Sequence, residues 1–438
     1  MSELKEANMN PAAEPEEDET VKKIKVRVSL FFDGTLNNRI NVKHRIDASM
    51  DPRAKALFDK YGKDGSSYHG DFTNVAKMEK YIDDAKDYDV SLGVYTEGPG
   101  TKDDKGDHTR GYALGTGSTG VHKKVEKGIT EAVNKATDSV GDKETVIELL
   151  TIDVFGFSRG AAGARLCIYE VLNGKRPIKE LLADEGYDVR RVEVCFAGLY
   201  DTVSSHGIVY SNDVGDLKLR SVALAKRTVQ LAAAEEHRKN FSLTDITSAG
   251  RKKGLQVFLP GVHSDIGGGY KPNGSENGMG VYYSLSEHDA ESERRRLINA
   301  GWYRDNEINV VCFPAPASGL GGGGFDQYVI EVNRSGINNT YSLVPFNLMA
   351  DHAVENGISL SSEVKAEKVP AALSTVDQEI RSYVQKQGNR SRAEDWLGDD
   401  KSWHRALRHD YLHFSARLEF AHNPRFKEYR RFRKTYHG

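Results

Sequence analysis

The chain has 438 residues, enough at roughly 150 residues per domain for two or three domains or one large enzyme fold with insertions. Lys plus Arg number 61 against 64 for Asp plus Glu, and the net charge of −3 excludes a global basic field for holding nucleic acid or anionic lipid. No apolar run approaches the roughly 18 residues of a membrane span, the acidic start is unlike a signal peptide, and Cys167, Cys195 and Cys312 are too few and scattered for a disulfide framework or a clustered zinc site. These features lead us to expect a soluble chain made in the cytoplasm.

Residues 1–22 are expected to be a disordered acidic tail, because the first twenty carry seven acidic side chains and two prolines and few large apolar ones. The run Val26 to Phe32 reads as a buried strand ending in the turn Asp33-Gly34-Thr35. A short strand from Val90 to Tyr95 enters a Gly- and Asp-rich loop from Thr96 to Gly120. Val125, Ile129 and Val133, spaced by four, predict an amphipathic helix from Val121 to about Ser139, followed by a strand from Leu149 to Phe155. A small-residue helix from Gly160 to Leu172, a strand from Val192 to Tyr200, a helix near 220–237, a strand from Leu255 to Leu259 and a helix around 285–300 continue the pattern. Strands alternating with helices predict an α/β fold with a central, mostly parallel sheet flanked by helices, here over residues 23–350. Residues 351–438 read as a mainly helical region packed on that domain. Its end carries Arg425, Lys427, Arg430, Arg431, Arg433 and Lys434 against Glu428, interleaved with Phe426, Tyr429, Phe432 and Tyr436. That tail reads either as a solvated helix or as an element docking on anionic membrane.

Gly156-Phe157-Ser158-Arg159-Gly160 matches G-x-S-x-G. The bare pattern is weak, but it follows an apolar strand and opens into Ala161-Ala162-Gly163-Ala164, the strand-turn-helix setting of a nucleophile elbow. A serine hydroxyl needs a general base and an acid to orient that base. Asp201 follows the strand ending at Tyr200 and His263 follows the strand ending at Leu259, so Ser, Asp and His occur in α/β-hydrolase order. His413 is the second candidate for the base and His206 the third. Backbone N–H groups of Arg159 and of Gly34 or Thr35 are the candidate oxyanion donors. Phe31-Phe32-Asp33-Gly34-Thr35 is similar to a haloacid-dehalogenase loop whose nucleophile is missing. Gly115 to Gly120 fits G-x-G-x-x-G without the strand a dinucleotide site requires. Asp103 to Asp107 lacks EF-hand spacing and reads as a solvated loop, with calcium the lesser alternative. The Gly-rich stretches Thr96 to Gly120 and Ser318 to Gly324 read as surface loops or as covers of an acyl cleft.

Taken together these residues resemble the type VI secretion lipase effectors of the GXSXG class, whose catalytic domain is an α/β-hydrolase-like unit. The resemblance rests on Phe32 to Thr35 with Asn37, Tyr95 to Thr101, Gly156 to Ala161, Gly198 to Val203, Pro260 to Tyr270 and a closing His413-Phe414-Ser415 with Arg417. It departs at Tyr200, where the family tends to have Trp, and in lacking the large extra C-terminal module that some members use against membranes. It implies hydrolysis of glycerophospholipid acyl esters, a phospholipase A activity with Ser158 as nucleophile, Asp201 as acid and His263 as base, with no metal or cofactor in the ester chemistry. It further implies membrane phospholipids of a target cell as substrate, a cognate immunity protein, a secretion-apparatus contact, delivery to the target periplasm without a signal peptide, and no nucleic acid. A cytoplasmic esterase of small soluble esters and a non-catalytic hydrolase-fold binding module are the alternatives.

Overall fold

Six runs rich in β-branched and aromatic residues pair into the central sheet: β1 (Lys23–Phe32), β2 (Val90–Thr96), β3 (Val146–Phe157), β4 (Val189–Tyr200), β5 (Arg227–Ala233) and β6 (Gly254–Leu259). Their spatial order is β2-β1-β3-β4-β5-β6, and every pairing is parallel. The computed structural model describes residues 21–108, 117–206, 211–212, 214–315, 325–397, 402–419, 422–427 and 430–438. All but the last two residues of the expected acidic tail therefore lie outside the described residues.

The register sets what stands on the sheet's upper edge. Phe32 lies opposite Thr96 and Gly156, Phe157 opposite Tyr200, Tyr200 opposite Leu231, and Ala233 opposite Leu259. The residues just past these ends, Asp33, Ser158, Asp201 and the Pro260 loop, are thereby brought to one rim. The chain steps from β1 outward to β2 and then back across to β3, so the ends of β1 and β3 form the topological switch point where open α/β sheets place their ligands.

Alternation along the strands gives two apolar faces. On one, Ile24, Val26, Val28, Leu30 and Phe32 pack with α1 (Val121–Val140) and α2 (Arg159–Asn173). On the other, Phe31 stacks on Phe155 at 4.6 Å, in a core shared with the helix Leu343–Glu355 and with Trp396 and Leu407 further along. Arg27 fastens the two regions. Its Nε donates to Asp153 at 2.7 Å inside the sheet, and its Nη1 and Nη2 donate to the carbonyls of Gly357 and Asn356 just past that helix, at 2.5 and 2.9 Å.

Three segments depart from the sequence reading. The helix expected near 220–237 is a 3-10 turn, Leu219–Leu224, followed by β5. Six of the seven β5 residues are buried, between β4 and β6, so the segment lacks the solvent-facing side of an amphipathic helix. An antiparallel sheet, absent from the expectation, is formed by β7 (Gly274–Ser284), β8 (Ile308–Phe313) and β9 (Gln327–Ile337), in the order β7-β9-β8. The region after 351 contributes the helices Ser374–Gln387 and Ser402–Asp410, but the basic tail is not a helix. Phe426–Lys427 pairs antiparallel with Arg430–Arg431, and Thr435–Tyr436 lies parallel to Leu243–Thr244.

Candidate active site

The turn between β3 and α2 is tightly constrained. Ser158 has φ 59° and ψ −125°, a sparsely populated conformation for a residue with a Cβ, and it is held from both sides. Its N–H donates to the Tyr200 carbonyl at 3.0 Å, and its own carbonyl accepts from the amides of Ala161 and Val203 at 3.1 and 3.3 Å. The flanking glycines are required by contact: a Cβ on Gly156 would stand 2.5 Å from the Ala161 Cα, and one on Gly160 would stand 2.2 Å from the Phe32 carbonyl oxygen. Ser158 is 5% exposed.

Asp201, with φ 48°, turns off the end of β4, and His263 opens the short helix α3 (His263–Gly267). The structure brings the two side chains together, with His263 Nδ1 2.5 Å from Asp201 Oδ2. Burial pushes the Asp201 carboxyl up, but the Arg433 guanidinium and His263 more than offset this and hold it below the usual carboxylate range. The ionised carboxylate accepts, so Nδ1 carries the proton and Nε2 is the basic nitrogen. Burial lowers the His263 pKa against the opposing pull of Asp201. The imidazole sits between Phe157, the neighbour of the serine, at 4.6 Å between ring centres, and the edge of Phe241 at 5.0 Å. Its backbone N–H donates to Glu236 at 3.3 Å, a carboxylate that Arg238 grips through Nε and Nη2 at 3.0 and 2.8 Å.

The loop after β1 closes the other side. Asp33 is buried and accepts from the Gly34 amide, Thr73 Oγ1 and Tyr95 Oη at 2.8, 2.8 and 2.6 Å. Burial pushes its carboxyl up to about 6 despite these bonds. The Gly34 N–H is thus turned onto Asp33. Thr35 faces the elbow, its Oγ1 accepting from Arg159 Nε at 2.6 Å. A Cβ on Gly98 would stand 1.7 Å from the Gly34 carbonyl oxygen, which shows how closely the β2 loop is pressed onto this turn.

His413 belongs to a different pair. Its Nδ1 lies 2.9 Å from Asp265 Oδ1, and its ring stacks on Tyr270 at 3.6 Å. The side chain of His206 lies outside the described residues, as do residues 109–116 of the first Gly-rich stretch and 318–324, the whole of the second. The carboxylates of the acidic loop are engaged by protein groups. Asp104 meets His44 and Arg53 at 2.5 and 2.9 Å, Asp107 accepts from Ser67, and Asp103 accepts from Asn38. Among the described residues no group of three or more His, Cys, Asp or Glu side chains is arranged to hold a metal ion, and no helix is long and apolar enough to cross a membrane.

One residue of the cluster was missed by sequence reasoning. Arg433, in the basic tail, donates through Nη1 and Nη2 to Oδ1 and Oδ2 of Asp201 at 2.5 and 2.8 Å. Nothing in the local sequence separates it from five neighbouring cations.

Residues 176–289 match the family model described as T6SS, Phospholipase effector Tle1-like, catalytic domain, a segment that includes Asp201 and His263 and begins after Ser158. The Tle1 effector solved bound to the VgrG spike of the type 6 secretion system is 22% identical to this chain, with a TM-score of 0.66 over 95% of this chain and 94% of that one. An uncharacterized protein from Pseudomonas aeruginosa is 18% identical over 86% of this chain and 52% of that one, with a TM-score of 0.43. No curated protein matches the chain. Residues 176–289 are therefore similar to the catalytic domain of Tle1-like type VI phospholipase effectors, and over nearly its whole length the chain shares its fold with a solved Tle1 effector.

Proposed function

We propose that this chain is a serine phospholipase of the A type, acting through an acyl-enzyme on Ser158. The observation that carries the reading is the paired Asp201 and His263 on the rim that also bears the strained Ser158 turn. In the first half-reaction Ser158 Oγ attacks the ester carbonyl and its proton passes to His263 Nε2, while Asp201 holds the imidazole by Nδ1. The carbonyl oxygen, now negative, is received by the backbone N–H of Arg159, at the start of α2, and that of Thr35, since the Gly34 amide is committed to Asp33. The tetrahedral adduct collapses, the C–O bond to the glycerol oxygen breaks, and that oxygen takes the proton from His263. Water, deprotonated by the same nitrogen, then releases the fatty acid and restores Ser158.

The family match supports membrane phospholipids as substrate, and the fold shared with an effector solved on the VgrG spike supports delivery by a type VI apparatus and contact with the spike; release into a target-cell periplasm and a cognate immunity protein complete the proposal. Fatty-acid release from phosphatidylethanolamine and phosphatidylglycerol vesicles tests the chemistry. Ser158→Ala is expected to lower release by about 10⁴-fold or more while leaving the melting temperature close to the parent's. Full release by that variant would remove Ser158 as nucleophile. Turnover confined to short-chain soluble esters would replace the phospholipid substrate by a small one.

A further inference from the structure

Asp201 is wholly buried, and a carboxylate there would regain its proton unless its charge were matched. Four donors reach its two oxygens: the Ala233 amide at 2.8 Å and Arg433 Nη1 on Oδ1, and His263 Nδ1 and Arg433 Nη2 on Oδ2. The arginine is itself immobilised. Its Nε donates to the Phe241 carbonyl at 2.7 Å, its Nη1 also reaches the Ala233 carbonyl at 3.3 Å, and its side chain is 6% exposed. The backbone on either side is pinned by Phe432 N–H to the Arg425 carbonyl and by Leu243 N–H to the Lys434 carbonyl. A bidentate guanidinium on a carboxylate fixes both its charge and its plane.

We propose that Arg433 is a positioning residue of the triad, holding Asp201 as a fixed, ionised carboxylate so that Asp201 can orient His263. This rests on the serine-esterase reading above. Arg433 acts through Asp201, and its partners are that carboxylate and two backbone carbonyls, so its role lies in kcat and in the basicity of the imidazole. The other acidic side chains near His263 have partners of their own. Glu236, on its backbone N–H, is clamped by Arg238 and also accepts from Ser415 Oγ, and Asp265, two residues on, is paired with His413. Without Arg433 the buried pair of Asp201 and His263 takes up a proton at higher pH, on the carboxylate or on the imidazole, and the orientation of His263 is loosened.

The test uses a soluble short-chain nitrophenyl ester and the full chain. In Arg433→Gln, kcat is expected to fall about 10²-fold, within the roughly 10⁴-fold that the aspartate's own role is worth. KM should change little, and the acid limb of kcat/KM should move up by about one pH unit. Unchanged kcat, a loss confined to KM, or a loss with the acid limb unmoved would each overturn the proposal. Should Arg433→Gln fail to fold, Arg433→Lys decides, because it keeps the charge and loses the fork. A kcat about tenfold lower at unchanged KM and melting temperature supports the proposal, and wild-type kcat overturns it. A wild-type chain without ester hydrolysis, or full hydrolysis in Ser158→Ala, would instead defeat the esterase reading itself.

Discussion

A general base works in its neutral form, and the surroundings of His263 favour that form. Burial between Phe157 and Phe241 disfavours the imidazolium more than Asp201 favours it, so the pKa lies below the ordinary value of about 6.5. As pH falls, the imidazole therefore stays neutral to a lower pH than an ordinary histidine does, and activity is lost as pH drops through the depressed value. We therefore expect the acid limb of kcat/KM for a soluble ester to have its midpoint below 6.5, and a midpoint above 6.5 would contradict the burial argument. His413 makes the same kind of bond, through Nδ1 to Asp265, but its ring stacks on Tyr270, whereas that of His263 packs on Phe157, the neighbour of Ser158. His263→Ala is expected to lower kcat by about 10⁴-fold. His413→Ala should instead leave kcat within a few-fold and lower the melting temperature, as initial rates and thermal denaturation would show.

At the scale of elements, the close approach of the β1 turn to the α2 start shapes the rim. Gly160 admits no side chain because two carbonyl oxygens, of Phe32 and Asp33, stand 2.2 and 2.3 Å from where its Cβ would be. Gly160→Ala must therefore push backbone from backbone. It is expected to cost at least the ~1–3 kcal/mol typical of overpacking, read as a lower denaturation midpoint. The same turn explains why Ser158, Asp201 and His263 were legible in the sequence: each directly follows a strand or its loop, and parallel pairing sends such positions to one edge. β5 was not legible, because its Ala-rich, Gln-containing run resembles a helix until burial between two neighbours is known. The antiparallel sheet escaped for a related reason, since β7 mixes Gly, Ser and Glu with its apolar residues and shows register shifts against β9 that break the period of two. Arg433 escaped because a row of six cations carries no mark of which one will meet an aspartate buried far away.

Across the whole molecule, the central sheet is covered on one face by α1 and α2 and on the other by helices that come late in the chain, and Arg27 links the sheet to that late region. Removing one partner of a buried ion pair costs about 3–5 kcal/mol, so Arg27→Ala is expected to lower the melting temperature by several degrees or more, with the Asn356 and Gly357 carbonyls losing their donor at the same time. A change of less than a degree would show that the Asp153 pair is dispensable. The contact between Asp201 and Arg433 spans 232 residues, and that separation bears on time as well as on geometry. At a synthesis rate of about 5–20 residues per second, roughly 10–50 seconds pass between the emergence of the aspartate and that of its arginine. Through that interval a chain still on the ribosome holds Ser158, Asp201 and His263 without the guanidinium that pairs with Asp201. On the serine-esterase reading, full turnover by a nascent chain waits on the arginine for that long.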